Sequence, residues 1–291
     1  MNKMWFIKLS LLLMPVSFNI TLSAQTISDK INPVEYTFNI TGKDSLKAYV
    51  FTSPVKIQTE NNPAIVIFHG GGWAVGEPSW TFVDGEYFAK KGMIAVSAQY
   101  RLSDQKYITP VDAMEDTRNV IIWMRKNSKQ LKIDPDRIVA YGLSAGAHLA
   151  ACTAVFPSYD TDPGISSIPN ALILYSPALS IASDGWFKQL LLDKGNPLNF
   201  SPAEHIKENM PPAIILVGKD DTVTPVQESI LFNQNMIKYG NKSYLNIYDG
   251  VGHLLAHDDH PADDHYIPDK EIKARAFNEI DLFLESLGYI K

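Results

Sequence analysis

Cysteine is almost missing: Cys152 is the single one in 291 residues, so neither an intrachain disulfide framework nor a Cys-rich zinc module can be built. Lys and Arg number 26 against 32 Asp and Glu, a formal charge of −6. That balance offers no basic surface to neutralise phosphates, and it excludes nucleic acid as the expected partner. Internal repeats, low-complexity tracts and linkers are absent, which excludes solenoids and collagen-like arrays. Long apolar runs are also lacking outside the N-terminus. There, Lys3 and Lys8 flank the start of an apolar stretch over 9–22, broken by Pro15 and followed by Ser23 and Ala24. This is the order of a secretory signal peptide, too short and interrupted for a spanning helix. The expectation is a signal segment over 1–24 and one domain over 25–291, exported to the periplasm or secreted, with no stable membrane insertion after cleavage. Cys152 is then expected as a small buried hydrophobe.

What the chain does have is apolar content of 45%, with aromatic residues making up 11% of the chain, enough for a conventional core. Val34, Tyr36, Phe38 and Ile40 alternate with polar residues, as do Leu46, Ala48 and Val50 beyond a Gly42 turn, which predicts an N-terminal β-hairpin. Short continuous apolar runs follow at 64–68, 93–97, 137–141, 171–175, 213–217 and 244–248. Such runs predict strands buried on both faces of a mostly parallel sheet. Helical patterns lie between them, the clearest opening with Thr109 as N-cap and Pro110 at the first position, the last covering about 272–287. Alternation of this kind predicts a three-layer α/β sandwich with its site at the carboxyl ends of the strands.

Two glycine-rich segments sit at such strand ends. In Gly142-Leu143-Ser144-Ala145-Gly146 the spacing GxSxG allows a tight strand-to-helix turn that lifts a serine hydroxyl clear of the sheet. In His69-Gly70-Gly71-Gly72-Trp73 three glycines free backbone N–H groups to face an oxyanion; a phosphate loop would instead end in Lys-Ser/Thr and run directly into a helix. A serine nucleophile needs a base. Of the seven histidines, His253 is best placed, after Asp249-Gly250-Val251-Gly252 at the end of a strand. The acid belongs after the preceding strand, in Gly218-Lys219-Asp220-Asp221-Thr222-Val223-Thr224-Pro225, where two aspartates compete and spacing favours Asp221.

The segments HGGGW, GLSAG, the Gly218 to Pro225 stretch and Gly252-His253, taken in order, resemble the α/β-hydrolase superfamily. Within it the chain is similar to the esterase/lipase group, which holds hormone-sensitive-lipase-like enzymes and bacterial feruloyl and acetyl esterases. Leu143, where the lipase-like branch carries an acidic residue, and strand-like residues 33–51 in place of a helical N-terminal cap bring it nearer the feruloyl/acetyl branch. The resemblance implies an α/β-hydrolase sandwich and a serine carboxylesterase with Ser144 as nucleophile, His253 as base and Asp221 as acid. It also implies oxyanion donors at the backbone N–H groups of Gly71, Gly72 and Ala145, and neither metal nor organic cofactor. Formamide or small-peptide hydrolysis and a non-catalytic binding role are the competing readings. Trp73, Trp186 and Phe187 are candidate aromatic surfaces for the substrate, expected to be a small-molecule or oligosaccharide ester. The dense group His257, Asp258, Asp259, His260, Asp263, Asp264 and His265 matches no metal-ligand spacing and reads as a solvated rim.

Overall fold

The computed structural model describes Met1 and residues 30–42, 44–57, 60–156, 164–261 and 266–291. The predicted signal segment, Met1 apart, lies outside the described residues. In chain order the elements are β1 (Val34–Thr41), β2 (Asp44–Phe51), β3 (Asn62–Phe68), α1 (Phe82–Lys90), β4 (Ile94–Ala98), α2 (Pro110–Lys126), α3 (Ser128–Leu131), β5 (Ile133–Leu143), α4 (Ala145–Val155), β6 (Ala171–Tyr175), α5 (Gly185–Leu190), β7 (Ala213–Gly218), α6 (Val226–Lys238), β8 (Ser243–Tyr248) and α7 (Lys270–Ser286).

The strands form one eight-stranded sheet in the order β1-β2-β4-β3-β5-β6-β7-β8. β1 pairs antiparallel with β2, and β2 antiparallel with β4. From β4 onward every pairing is parallel. Side chains of a strand alternate between its two faces, and the two faces bury different sets. Ala64, Val66 and Phe68 of β3 join Ile138 and Ala140 of β5 and Leu172 and Leu174 of β6 against α2, α4 and α6. Ile65, Ile67, Val139, Tyr141, Ile173 and Leu216 pack on the other side with Phe88 of α1 and Ile280 and Leu284 of α7. A sheet covered by helices on both faces is the three-layer α/β sandwich that the alternation predicted.

β8 departs from the expectation that it would be buried on both faces. Tyr244 and Ile247 are 48% and 40% exposed, because among the described residues β8 pairs only with β7 and closes that edge of the sheet. α2 starts as expected: Thr109 N–H donates to the Asp112 carboxylate at 2.9 Å, with Pro110 at the first helical position. The end of β4 is tied to that helix by Arg101, which donates to Asp116 from its backbone N–H at 2.9 Å and from Nε at 2.8 Å. Among the described residues, no helix is long and apolar enough to cross a membrane.

Candidate active site

Four loops leave the carboxyl ends of β3, β5, β7 and β8 on one side of the sheet, and the chemistry collects there. Ser144 occupies the turn between β5 and α4 with φ 54° and ψ −122°, a conformation that costs a side-chain-bearing residue on the order of 1–3 kcal/mol. It is held by its N–H donating to Tyr175 O at 2.9 Å and its carbonyl accepting from Ala147 N–H at 2.9 Å. The flanking glycines are demanded by contact. A Cβ on Gly142 would lie 2.1 Å from Gly146 O, and one on Gly146 would lie 2.2 Å from Phe68 O.

Ser144 Oγ stands 3.0 Å from His253 Nε2. His253 Nδ1 lies 3.0 Å from Asp221 Oδ2 and 3.3 Å from Oδ1. The carboxylate accepts the Nδ1 proton, which leaves Nε2 as the acceptor for the serine hydroxyl. All three residues are nearly buried, at 9%, 2% and 5% exposure for Ser144, His253 and Asp221. Asp221 is fixed by Val223 N–H and Thr224 N–H, which donate to Oδ1 at 3.0 and 2.7 Å, and by Thr224 Oγ1, 2.8 Å from Oδ2. Its neighbour Asp220 is exposed, so of the two competing aspartates only Asp221 meets the imidazole.

The HGGGW loop lies against the serine: a Cβ on Gly70 would come within 3.3 Å of Ser144 Cβ. In a trans peptide the N–H points opposite to the preceding carbonyl, and these carbonyls are engaged. Gly70 O accepts from His69 Nδ1 at 2.6 Å, and Gly71 O accepts from Ala74 and Val75 N–H at 3.1 and 3.0 Å. The N–H groups of Gly71 and Gly72 are thereby turned away from the loop's own turn, and among the described residues no hydrogen bond uses them. Ala145 is the first residue of α4, where a helix leaves its N–H groups without an intrahelical partner and presents the positive end of its dipole. The N–H groups of Gly71, Gly72 and Ala145 thus remain available as donors.

The aromatic expectations need correcting. Trp73 is 3% exposed and Phe187 is fully buried, so neither is a surface for substrate. Trp73 has turned inward to pack edge-on against Phe187 and His148, with ring centroids 4.9 and 5.2 Å apart. Its Nε1–H donates to His148 Nδ1 at 3.1 Å, and His148 Nε2 in turn donates to Phe200 O at 2.9 Å. Burial lowers His148 to a pKa of about 4, which keeps it neutral. Trp186 does stay 41% exposed, and its Nε1–H donates to Gly72 O at 3.0 Å.

Residues 262–265 of the histidine-acid group lie outside the described residues. Of the remainder, His257 lies 2.9 Å from Gly250 O and 3.1 Å from Asp269 Oδ2, and Asp258 accepts from His260 N–H at 3.0 Å. Among the described residues, no group of three or more His, Cys, Asp or Glu side chains is placed to hold a metal ion. Two contributors escaped the sequence reading: Thr224, and Ser176, whose Oγ accepts from Leu254 N–H at 3.0 Å and so holds the histidine loop. Thr224 was signalled only as part of the aspartate turn, and Ser176 by nothing local.

Comparison with known proteins places this geometry. The family model BD-FAE matches residues 52–165. A probable isoprenylcysteine alpha-carbonyl methylesterase of Arabidopsis thaliana is 27% identical over 223 residues, covering 68% of this chain and 46% of that protein. An arylesterase of Saccharolobus solfataricus is 25% identical over 199 residues, covering 62% of this chain and 64% of its own. The chain therefore spans only about half to two thirds of these relatives' length. Among solved structures, esterase 2 of Thermogutta terrifontis phosphoramylated by tabun superposes with a TM-score of 0.79 at 31% identity, over 89% of this chain and 96% of that one. Its apo form gives 0.78 at 32% identity over the same shares. The chain belongs to the α/β-hydrolase superfamily and, within it, to the esterase/lipase group of carboxylic ester hydrolases.

Proposed function

We propose that this protein is a serine carboxylesterase for short-chain acyl esters, working through an acyl-enzyme. The observation that carries the reading is the unbroken relay from Asp221 through His253 to Ser144 Oγ, at 3.0 Å in each step. His253 Nε2 takes the hydroxyl proton as Ser144 Oγ attacks the ester carbonyl, and the oxyanion is received by the N–H groups of Gly71, Gly72 and Ala145. His253 returns the proton to the departing alkoxide, so an alcohol leaves and an acyl-serine remains. Water, deprotonated by the same imidazole, then releases the acid and restores the hydroxyl. Asp221 holds the imidazole tautomer and balances its transient positive charge. None of these steps draws on a metal or cofactor.

Support for a short acyl group comes from the same neighbour, whose solved forms include propionate-bound and butyrate-bound esterase 2. For the alcohol side, plant-polysaccharide fragments that carry acetyl or feruloyl groups on their hydroxyls form the proposed class. An endo-1,4-beta-xylanase B of Butyrivibrio fibrisolvens is 27% identical over 201 residues, and exposed Trp186 beside Gly72 offers a face for a sugar or phenolic ring. Export belongs to the proposal as well, and N-terminal sequencing of the mature protein checks it.

Ser144→Ala should reduce ester turnover roughly a thousandfold or more, with the fold intact by circular dichroism. Larger residual turnover, after contaminating esterase is excluded, overturns the nucleophile. Acetyl, butyryl, decanoyl and feruloyl esters, acetylated xylo-oligosaccharides and an arylformamide should be compared as substrates. Preference for the decanoyl ester, or for the formamide over every ester, rejects the substrate class and leaves the triad standing.

A further inference from the structure

Within the histidine-acid group that follows His253, one carboxylate reaches back into the site. Asp259 Oδ1 accepts the backbone N–H of His253 itself. Asp259 Oδ2 accepts Thr222 N–H at 2.6 Å and Thr222 Oγ1–H at 2.8 Å. Thr222 adjoins Asp221, so one side chain grips the loop that carries the acid and the loop that carries the base. The fit leaves no slack: a Cβ on Gly252 would fall 1.8 Å from Asp259 Oδ1, so only glycine lets the carboxylate approach the residue before the histidine. Tyr266 completes the arrangement. Its hydroxyl donates to Asp259 O at 3.1 Å, and its ring meets the His253 ring edge-on with centroids 5.0 Å apart. His260 Nε2 lies 3.1 Å from Thr222 Oγ1 on the outer side.

We propose that Asp259 is a positioning residue for ester hydrolysis, setting the separation between Asp221 and His253 by clamping their two loops together. This rests on the Ser144, His253 and Asp221 reading of the site. His253 stands on a backbone that α/β packing alone does not secure, since Leu254 and Leu255 follow it with φ 52° and 60°. Without an acceptor for the His253 N–H, the imidazole would keep its burial but lose its register against both Ser144 Oγ and Asp221. Misplacement on the ångström scale costs up to about a hundredfold in rate. The carboxylate is suited to the task. Burial pushes Asp259 up, yet the N–H groups of His253 and Thr222 outweigh it and hold the carboxyl below the usual range. An asparagine could still accept from His253, but its amide would set donors against the two Thr222 donors.

The test is steady-state hydrolysis of p-nitrophenyl acetate together with the rate of inactivation by paraoxon, which reports Ser144 activation directly. In Asp259→Asn, kcat should fall about 10- to 100-fold with KM within about twofold, and the paraoxon rate should fall by the same factor. Asp258→Asn, which removes the same charge one residue away, should stay within about twofold of wild type. Thr222→Val should lose an intermediate factor in kcat and add little in the Asp259→Asn background, because both remove one clamp. Should Asp259→Asn fail to fold, Thr222→Val against Thr222→Ser carries the test, with serine expected to restore the rate. Unchanged kcat in the folded Asp259→Asn variant, a loss confined to KM, or full additivity with Thr222→Val overturns the clamp. Ser144→Ala, run alongside, separates the two ideas: if it remains active, the triad itself fails, whereas an inactive Ser144→Ala beside a fast Asp259→Asn removes only the positioning role.

Discussion

At the scale of single residues, the adjacent aspartates show how much one position matters. Asp221 is nearly buried and accepts two backbone N–H groups before it meets His253, whereas Asp220 is exposed and contributes a backbone N–H to Val251 O at 3.1 Å. Asp221→Asn should therefore cost several orders of magnitude in kcat, since an amide facing Nδ1 favours the wrong imidazole tautomer, while Asp220→Asn should change it by less than about threefold. Parallel kinetics of the two variants check this, and the reverse order would redraw the relay. The candidate relay was legible in the sequence because each member sits in a stretch whose glycines announce a strand end. Asp259 and Ser176 were not legible. Their jobs are hydrogen bonds to the backbone of other loops, at Thr222, His253 and Leu254, and a backbone partner leaves no signature in residue type.

Elements tell a similar story about what pattern can and cannot reveal. Strand positions, the capped start of α2 and the turn at Ser144 followed from hydrophobic period and local cap chemistry, which act over a few residues. The fates of Trp73 and Phe187 did not, because burial of an aromatic depends on what packs above it. Here that is His148 of α4 and the segment between β6 and β7. The same segment carries α5, whose start is fixed by Asp184 accepting from Trp186 and Phe187 N–H at 2.8 and 3.0 Å. It is braced from below by Glu228 of α6, which accepts from Leu179 and Ser180 N–H at 2.9 and 3.2 Å. α5 thus arrives rigidly placed, with Trp186 Nε1–H on Gly72 O. That bond pins the carbonyl of a loop whose amides are the proposed oxyanion donors. Trp186→Phe keeps an aromatic ring and deletes the donor, so kcat on acetyl esters should drop about three- to tenfold with the melting temperature little changed. A wild-type kcat in Trp186→Phe would show that Gly72 needs no such pin.

The whole molecule places two neutral imidazoles deep inside the framework that supports the site. Burial lowers both His69 and His148 to a pKa of about 4. His69 is stacked on Tyr100 with centroids 4.3 Å apart, and His148 sits between Trp73 and Phe200. In the unfolded chain a histidine titrates near 6.5, so between that value and about 4 the unfolded state binds more protons, and stability must fall as the pH drops through this window. Two buried carboxyls act the other way. Burial raises Asp84 to about 6 and Glu228 to about 7, so over the same range the folded state takes up protons that the unfolded carboxylates do not, which offsets part of the loss. A variant isolates the histidine contribution from this balance. Gln at 148 can accept from Trp73 Nε1–H and donate to Phe200 O, but it cannot be protonated. Relative to wild type, His148→Gln should gain roughly 2 kcal/mol on going from pH 8 to pH 5, the linkage expected when pH 5 lies about 1.5 units below the unfolded pKa and the folded imidazole is still largely neutral. Urea unfolding of both proteins at the two pH values measures that difference. A gap between them that does not change with pH would mean that His148 finds its proton inside the fold, and the neutral Trp73–His148–Phe200 relay would have to be abandoned.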